Sequence, residues 1–241
     1  MYNITVLAPH IDDEVIGAGG SIAKHIDLGN IVRVIFINSG QTKREIRVRE
    51  SEAEGVIDFL GIKDADFLRK SPTSLGNRVL KEIVHLLRRH SADFIYAPHL
   101  NEGDIEHVAV SQLAHRIVWL ANGNYYPGEK ERCEIKALFL YEVHRPISEV
   151  HYLEDIAKYE NKKVDAIRFY KSQLERVRYD QSAINLNRYR GISSEVSSSA
   201  EAFQIAAARN LIYYMGKGHH SSNTFPVAKG YQLLSRNPGK V

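Results

Sequence analysis

Cysteine is almost missing from this chain: of 241 residues, only Cys133 carries a thiol. A lone cysteine excludes an internal disulfide and any thiolate-rich zinc site, so a bound metal would have to use nitrogen and oxygen ligands. Long apolar runs are missing as well. No stretch approaches the ~20 residues of a membrane-spanning helix. The first residues also lack the basic-then-apolar pattern of a signal peptide, so a cytoplasmic protein with no membrane span is expected. There is no internal repeat, heptad seam or low-complexity block. Gly17-Ala18-Gly19-Gly20 lacks the Gly-x-Gly-x-x-Gly spacing of a dinucleotide site, which counts against NAD as a cofactor. Neither sign of charge dominates: 32 Lys and Arg against 29 Asp and Glu leave a net charge of +3. Without a basic patch interleaved with aromatics, nucleic acid is not an expected partner. The balance suits an anionic small substrate, or no charged partner at all.

The composition that remains, 44% hydrophobic and 25% charged, is that of an ordinary globular protein. At this length one domain is expected. Ile4 to Ala8 and Ile31 to Asn38 read as buried strands, and the helical spacing from Val15 to Leu28, closed by Gly29-Asn30, joins them into a βαβ unit. A charged amphipathic helix follows as far as about Gly61. Asp66 to Leu68 reads as a short strand and Leu75 to Arg89 as an amphipathic helix. Asp93 to Ala97 is a further buried strand, Val108 to Leu120 a helix and Ile135 to Tyr141 a strand. The pattern predicts an α/β fold: Rossmann-like, with a mostly parallel sheet and helices on both faces. From Glu160 onward the chain reads mainly as helical, as core and domain cover.

The chemistry concentrates in two strand-to-helix turns. The first, Pro9-His10-Ile11-Asp12-Asp13-Glu14, lies where open α/β sheets keep their sites. Imidazole and carboxylate are zinc-type ligands, and adjacent carboxylates in a tight turn cannot point the same way, so one can bind a metal while the other faces water. The same residues also suit helix initiation, with Asp as an N-cap and acidic side chains on the helix dipole. From these residues alone both readings stand.

The stretch Pro-His-Ile-Asp-Asp-Glu-Val-Ile-Gly-Ala-Gly-Gly from Pro9 to Gly20 resembles the opening motif of the LmbE/PIG-L family of zinc-dependent N-deacetylases, which carries His-x-Asp-Asp-Glu followed by a Gly-Gly pair. The resemblance implies that His10 and Asp13 are metal ligands and Asp12 is the general base. It also implies one Zn2+ per chain, or another divalent metal in its place. The second turn supplies the expected third ligand, His107. Where the family has Asp-x-His-x-Asp-His, this chain has Glu102-Gly103-Asp104-Ile105-Glu106-His107. Asp104 and Glu106 therefore fall at catalytic positions, but Asp104 replaces a histidine. An ionised carboxylate there would repel a developing oxyanion, so either another residue substitutes or the activity differs from the family's usual one; His99 and His144 are candidates by residue type only, and each suits a structural or pocket-wall histidine better.

The same likeness sets Arg49 near the substrate pocket, although Arg49, like Arg44 and Arg47, also suits a solvated helix face. His144 and Arg145, after Tyr141-Glu142 at the pocket rim, are expected substrate contacts or ordinary loop residues. Further similarity at Lys163, Ala166, Ile167, Tyr170, Ser172, Gln173 and the Ala200-to-Phe203 segment carries one deacetylase domain over residues 1–215. Residues 216–241 are an unassigned tail, in which no metal role is expected for His219-His220. The function implied is removal of an N-acetyl group from an N-acetylglucosamine-type sugar or conjugate, releasing acetate and a free amine. Its partner would be a small amino-sugar substrate, and homo-oligomers, trimeric or hexameric, occur among such relatives. Two other readings remain: a catalytically silent metal- or sugar-binding protein of the same fold, and a zinc amidase acting on a non-sugar amide.

Overall fold

The computed structural model describes residues 1–128 and 132–208. Residues 216–241, with His219 and His220, lie outside the described residues. Seven strands form one sheet: β1 (Asn3–His10), β2 (Ile31–Asn38), β3 (Asp64–Phe67), β4 (Phe94–Pro98), β5 (Ala137–Tyr141), β6 (Tyr152–Asp155) and β7 (Ala200–Ala208). Their spatial order is β3-β2-β1-β4-β5-β7-β6. The first five pair in parallel, and β7 is antiparallel to both β5 and β6. The chain leaves β1 towards β2 and later returns to β4 on its other side. The order thus reverses between β1 and β4, the kind of crevice in which open α/β sheets place ligands.

The helices are α1 (Asp13–Asp27), α2 (Lys43–Leu60), α3 (Asn77–Arg89), α4 (Ile105–Asn122), α5 (Glu160–Ile167), α6 (Lys171–Leu174) and α7 (Tyr179–Ser193). Because side chains alternate across a strand, Leu7, Ile35, Ile37, Ile95, Ala97, Leu138 and Leu140 share one face. There they pack against Val79, Leu80, Ile83 and Leu87 of α3 and Val110, Leu113 and Ile117 of α4. The opposite residues, Val6, Ala8, Val34 and Phe36, are buried too, and α1 lies against β1 and β2 with α5 beside it. Both faces are covered, as a parallel sheet requires.

Particular residues fix the boundaries. Thr42 caps α2 by accepting from the Glu45 amide at 3.2 Å, Glu45 accepts from the Gln41 amide at 3.0 Å, and Gly61 closes the helix at φ 84°. A Cβ at Gly17 would collide with the Tyr141 ring, whose hydroxyl donates to the Leu7 carbonyl at 2.8 Å. That glycine lets α1 descend onto the sheet beside the first turn. Arg88 is buried on the otherwise apolar face of α3, where it donates to the Leu120, Ala121, Gly123, Tyr125 and Tyr126 carbonyls around the end of α4.

The segment after Glu160 corrects the helical expectation. It contains β7, which inserts between β5 and β6. Its sequence, Ala200-Glu-Ala-Phe-Gln-Ile-Ala-Ala-Ala208, is poor in β-branched residues, and tertiary pairing overrides that weak propensity. Glu201 is fully buried in the strand because Lys163 meets it at 2.7 Å and the Gly20 and Ser21 amides donate to it, each at 2.8 Å.

Candidate metal and catalytic site

β1 delivers His10 to the edge of the sheet, and the chain then turns into α1 through Asp12 at φ 125°, ψ −28°. An aspartate in that region carries backbone strain of roughly 1–3 kcal/mol. The side chain of Asp12 makes no N-cap hydrogen bond, so helix initiation does not account for it. Asp13 instead closes the turn, its Oδ2 accepting from the His10 amide at 2.9 Å. Glu14, the next residue, is buried and accepts from the Asp12 amide at 3.2 Å and from the Tyr170 hydroxyl.

Three donor atoms converge from the two turns. His10 Nδ1 lies 3.3 Å from Asp13 Oδ2 and 3.2 Å from His107 Nε2, and His107 Nε2 lies 3.2 Å from Asp13 Oδ2. Tetrahedral zinc with ligands at 2.0–2.1 Å needs ligand-to-ligand edges of about 3.3 Å. The donor set fits such an ion in both chemistry and spacing, and it could hold a divalent cation. Its electrostatics agree. Burial opposes charge on His10, but Asp13 and Glu106 outweigh it and raise its pKa to about 9. Burial likewise opposes charge on His107, and Asp13 more than offsets it. For Asp13, burial is overcome by the two histidines, which hold the carboxylate far below its usual range. The cluster is arranged to be satisfied by positive charge at its centre.

The segment before and at the start of α4 braces this triangle. Glu106 Oε2 lies 2.5 Å from His10 Nε2, the nitrogen facing away from Asp13, and Asn38 Nδ2 donates to the same oxygen at 3.4 Å. Glu102, with its carboxylate fully buried, accepts from the Val143 amide at 2.7 Å and the His144 amide at 3.2 Å. Its Oε2 stands 3.9 Å from His107 Nδ1, a buried nitrogen with no hydrogen-bond partner. Glu106 thus backs His10 in the arrangement that orients metal-binding imidazoles, while Glu102 stands behind His107 beyond hydrogen-bond distance. Sequence reasoning assigned no role to Glu102. The available signal was its place at the first acidic position of the Asp-x-His-x-Asp-His pattern.

Asp104 is the N-cap of α4, its Oδ1 accepting from the Glu106 amide at 2.7 Å, and it stands close to His10 and His107. Asp12 is buried at the same place. Burial, then the charges of Asp13 and Glu14, raise its pKa well above the usual aspartate value, while His10 and Arg49 pull it back. Arg49 binds Glu45 at 2.5 Å, and its Nε is buried without a partner. His144 stacks on His107 with ring centroids 4.7 Å apart and reaches the Tyr179 hydroxyl at 3.3 Å through Nε2. Arg145 is exposed and lies over Gly103, where any Cβ would press on its Nε. His99 has a structural part, its Nε2 donating to the Arg145 carbonyl at 2.9 Å. The structure therefore gathers His10, Asp12, Asp13, Asp104, Glu106, His107 and His144 at one place, with Arg49 in electrostatic reach and Arg145 on the bordering loop.

Residues 5–118, which include both turns, match the family model described as PIG-L: GlcNAc-PI de-N-acetylase. Among solved structures, the conserved protein TT1542 from Thermus thermophilus is 24% identical, with a TM-score of 0.77 over 87% of this chain and 96% of that one. The N,N'-diacetylchitobiose deacetylase from Pyrococcus horikoshii is also 24% identical, with a TM-score of 0.73 over 92% of this chain and 87% of that one. GalB, the 4-carboxy-2-hydroxymuconate hydratase from Pseudomonas putida, is 20% identical, with a TM-score of 0.75 over 87% of this chain and 98% of that one. At these identities the likeness is one of fold.

Proposed function

Since residues 5–118 match the family model PIG-L: GlcNAc-PI de-N-acetylase, we propose that the protein is a zinc-dependent hydrolase. It would remove the acetyl group from an N-acetylglucosamine-type sugar or conjugate. The observation that carries this reading is the His10–Asp13–His107 triangle with a buried, otherwise uncommitted Asp12 beside it. His10 Nδ1, Asp13 Oδ2 and His107 Nε2 would hold the ion. Zinc, when bound, supplies a Lewis acid and brings the pKa of its water towards ~7.

The chain's own residues do the rest. Asp12 takes a proton from the attacking water as the new C–O bond forms at the acetyl carbon. It returns that proton to the nitrogen as the C–N bond breaks, so the amine departs neutral. Asp13, held ionised between two imidazoles, suits ligation, and the two neighbouring aspartates divide the work because their surroundings push their affinities for protons apart. Glu106 and Glu102 orient His10 and His107. Arg49, His144 and Arg145 border the substrate side, where guanidinium groups suit a phosphate or carboxylate on the sugar conjugate. A cytoplasmic location, a trimeric or hexameric assembly and one domain through residue 215 belong to the same reading.

A silent metal- or sugar-binding protein is the second reading, favoured by the commitment of Asp104 to the α4 cap where the family motif has a histidine. The hydratase among the fold relatives adds a reason to test acceptors other than sugar amides. The deciding experiment measures metal content and acetate release over a panel of N-acetylglucosamine conjugates and non-sugar amides, with His107→Ala as control. About one zinc per chain and turnover lost in the variant support deacetylation. Zinc without turnover on any member favours the silent protein, and absence of metal affinity removes the whole reading.

A further inference from the structure

Amide hydrolysis at this site builds an oxyanion that a hydrogen-bond donor would stabilise beyond a Lewis acid, and a carboxylate at position 104 is poorly suited to supply one. Two hydrogen-bonding side chains adjoin His107 here, His144 and, through it, Tyr179. His144 stacks on His107, and its Nε2 meets the Tyr179 hydroxyl at 3.3 Å. Tyr179 opens α7, far along the chain from both turns, yet the charges of Asp12, Asp13 and Asp104 all act on its hydroxyl. Its direction is set locally. The flanking residues Arg178 and Asp180 clasp each other through two hydrogen bonds of 2.9 and 2.8 Å, so the turn carrying Tyr179 is clamped on both sides.

The geometry points to Tyr179 as a catalytic residue that donates its hydroxyl hydrogen to the oxyanion, with His144 as the residue that positions it, in place of the histidine missing at 104. With His144 Nε2–H donating to the phenol oxygen, the phenol hydrogen is free for substrate. Burial, and then the three aspartates, push the Tyr179 pKa up to about 12, so the hydroxyl keeps its hydrogen throughout the neutral range. A neutral phenol can donate a hydrogen bond to an oxyanion, which a carboxylate anion cannot. This assignment rests on the amide-hydrolysis reading above.

Tyr179→Phe removes one oxygen and little else. In zinc-loaded protein it should lower kcat by about 10²–10³-fold, leaving KM and zinc content near wild type. The readout independent of turnover is the affinity for methylphosphonate, a tetrahedral anion, measured by calorimetry. It should weaken by about tenfold or more in the variant, as expected for loss of a hydrogen bond to a charged group. His144→Ala should weaken it in the same direction by less. Methylphosphonate affinity equal in wild type and Tyr179→Phe, or absent from both, would overturn the assignment, as would an unchanged kcat. If wild type releases no acetate from any substrate, deacetylation falls, and the methylphosphonate comparison still decides whether Tyr179 grips an oxyanion.

Discussion

The two turns that build the site reach their geometry by opposite means. After β1, four consecutive residues supply two metal-type donors and the proposed base, and they do so through a strained backbone, with Asp12 at φ 125°. After β4, the backbone is relaxed, with Asp104 in extended conformation capping α4. Its six residues supply one donor, His107, together with the carboxylates behind both histidines. The first turn concentrates reacting groups at the cost of strain. The second holds them in orientation through side chains. Damage at Asp12 should therefore appear in turnover, and damage at Glu102 or Glu106 in metal affinity.

The largest expected effect is at Asp12. Asp12→Asn leaves the donor triangle intact, so zinc content should stay near one per chain while kcat falls by about 10²–10⁴-fold. A variant that lost its metal as well would erase the division between the turns. Next come the bracing carboxylates, Glu102→Gln and Glu106→Gln. Each should weaken zinc binding by roughly 10–100-fold in a chelator-competition titration, with turnover recovering as zinc is raised. Turnover lost at saturating zinc would move them into the chemistry. The smallest effects concern folding and have opposite signs. Asp12→Gly relieves the positive φ and removes a buried carboxylate, so it should stabilise the inactive protein by about 1 kcal/mol. Asp104→Ala loses the α4 cap and should destabilise by about 1 kcal/mol, whereas Asp104→Asn, which can still cap, should cost far less. Denaturant unfolding of the three variants reads both signs, and destabilisation by Asp12→Gly would mean that the turn is unstrained.

The same contrast explains what could be read from the chain beforehand. Strong local periodicity made β1, α1, β2 and α2 legible within a residue or two, because an apolar run and an amphipathic helix announce themselves. β7 was not legible. Its Ala-rich stretch has no strand pattern, and its burial of Glu201 makes sense only once Lys163 is in place. The family pattern pointed to His10, Asp13 and His107, and the strand order brings them together by setting β4 beside β1 with Ile4 opposite Phe94. Glu102 and Tyr179 escaped notice because their parts depend on contacts with His107 and His144 across the fold. Asp104 illustrates the converse: its residue type suggested lost chemistry, and its position also makes it a helix cap.

The central claim is that one cation belongs between His10, Asp13 and His107, and anomalous diffraction from crystals grown with zinc tests it most directly. The account predicts a single strong peak within about 2.0–2.2 Å of His10 Nδ1, Asp13 Oδ2 and His107 Nε2. A peak only at another His and carboxylate cluster, Glu102, His107 and His144 or Asp64, Asp66 and His90, or no peak at all, would contradict it.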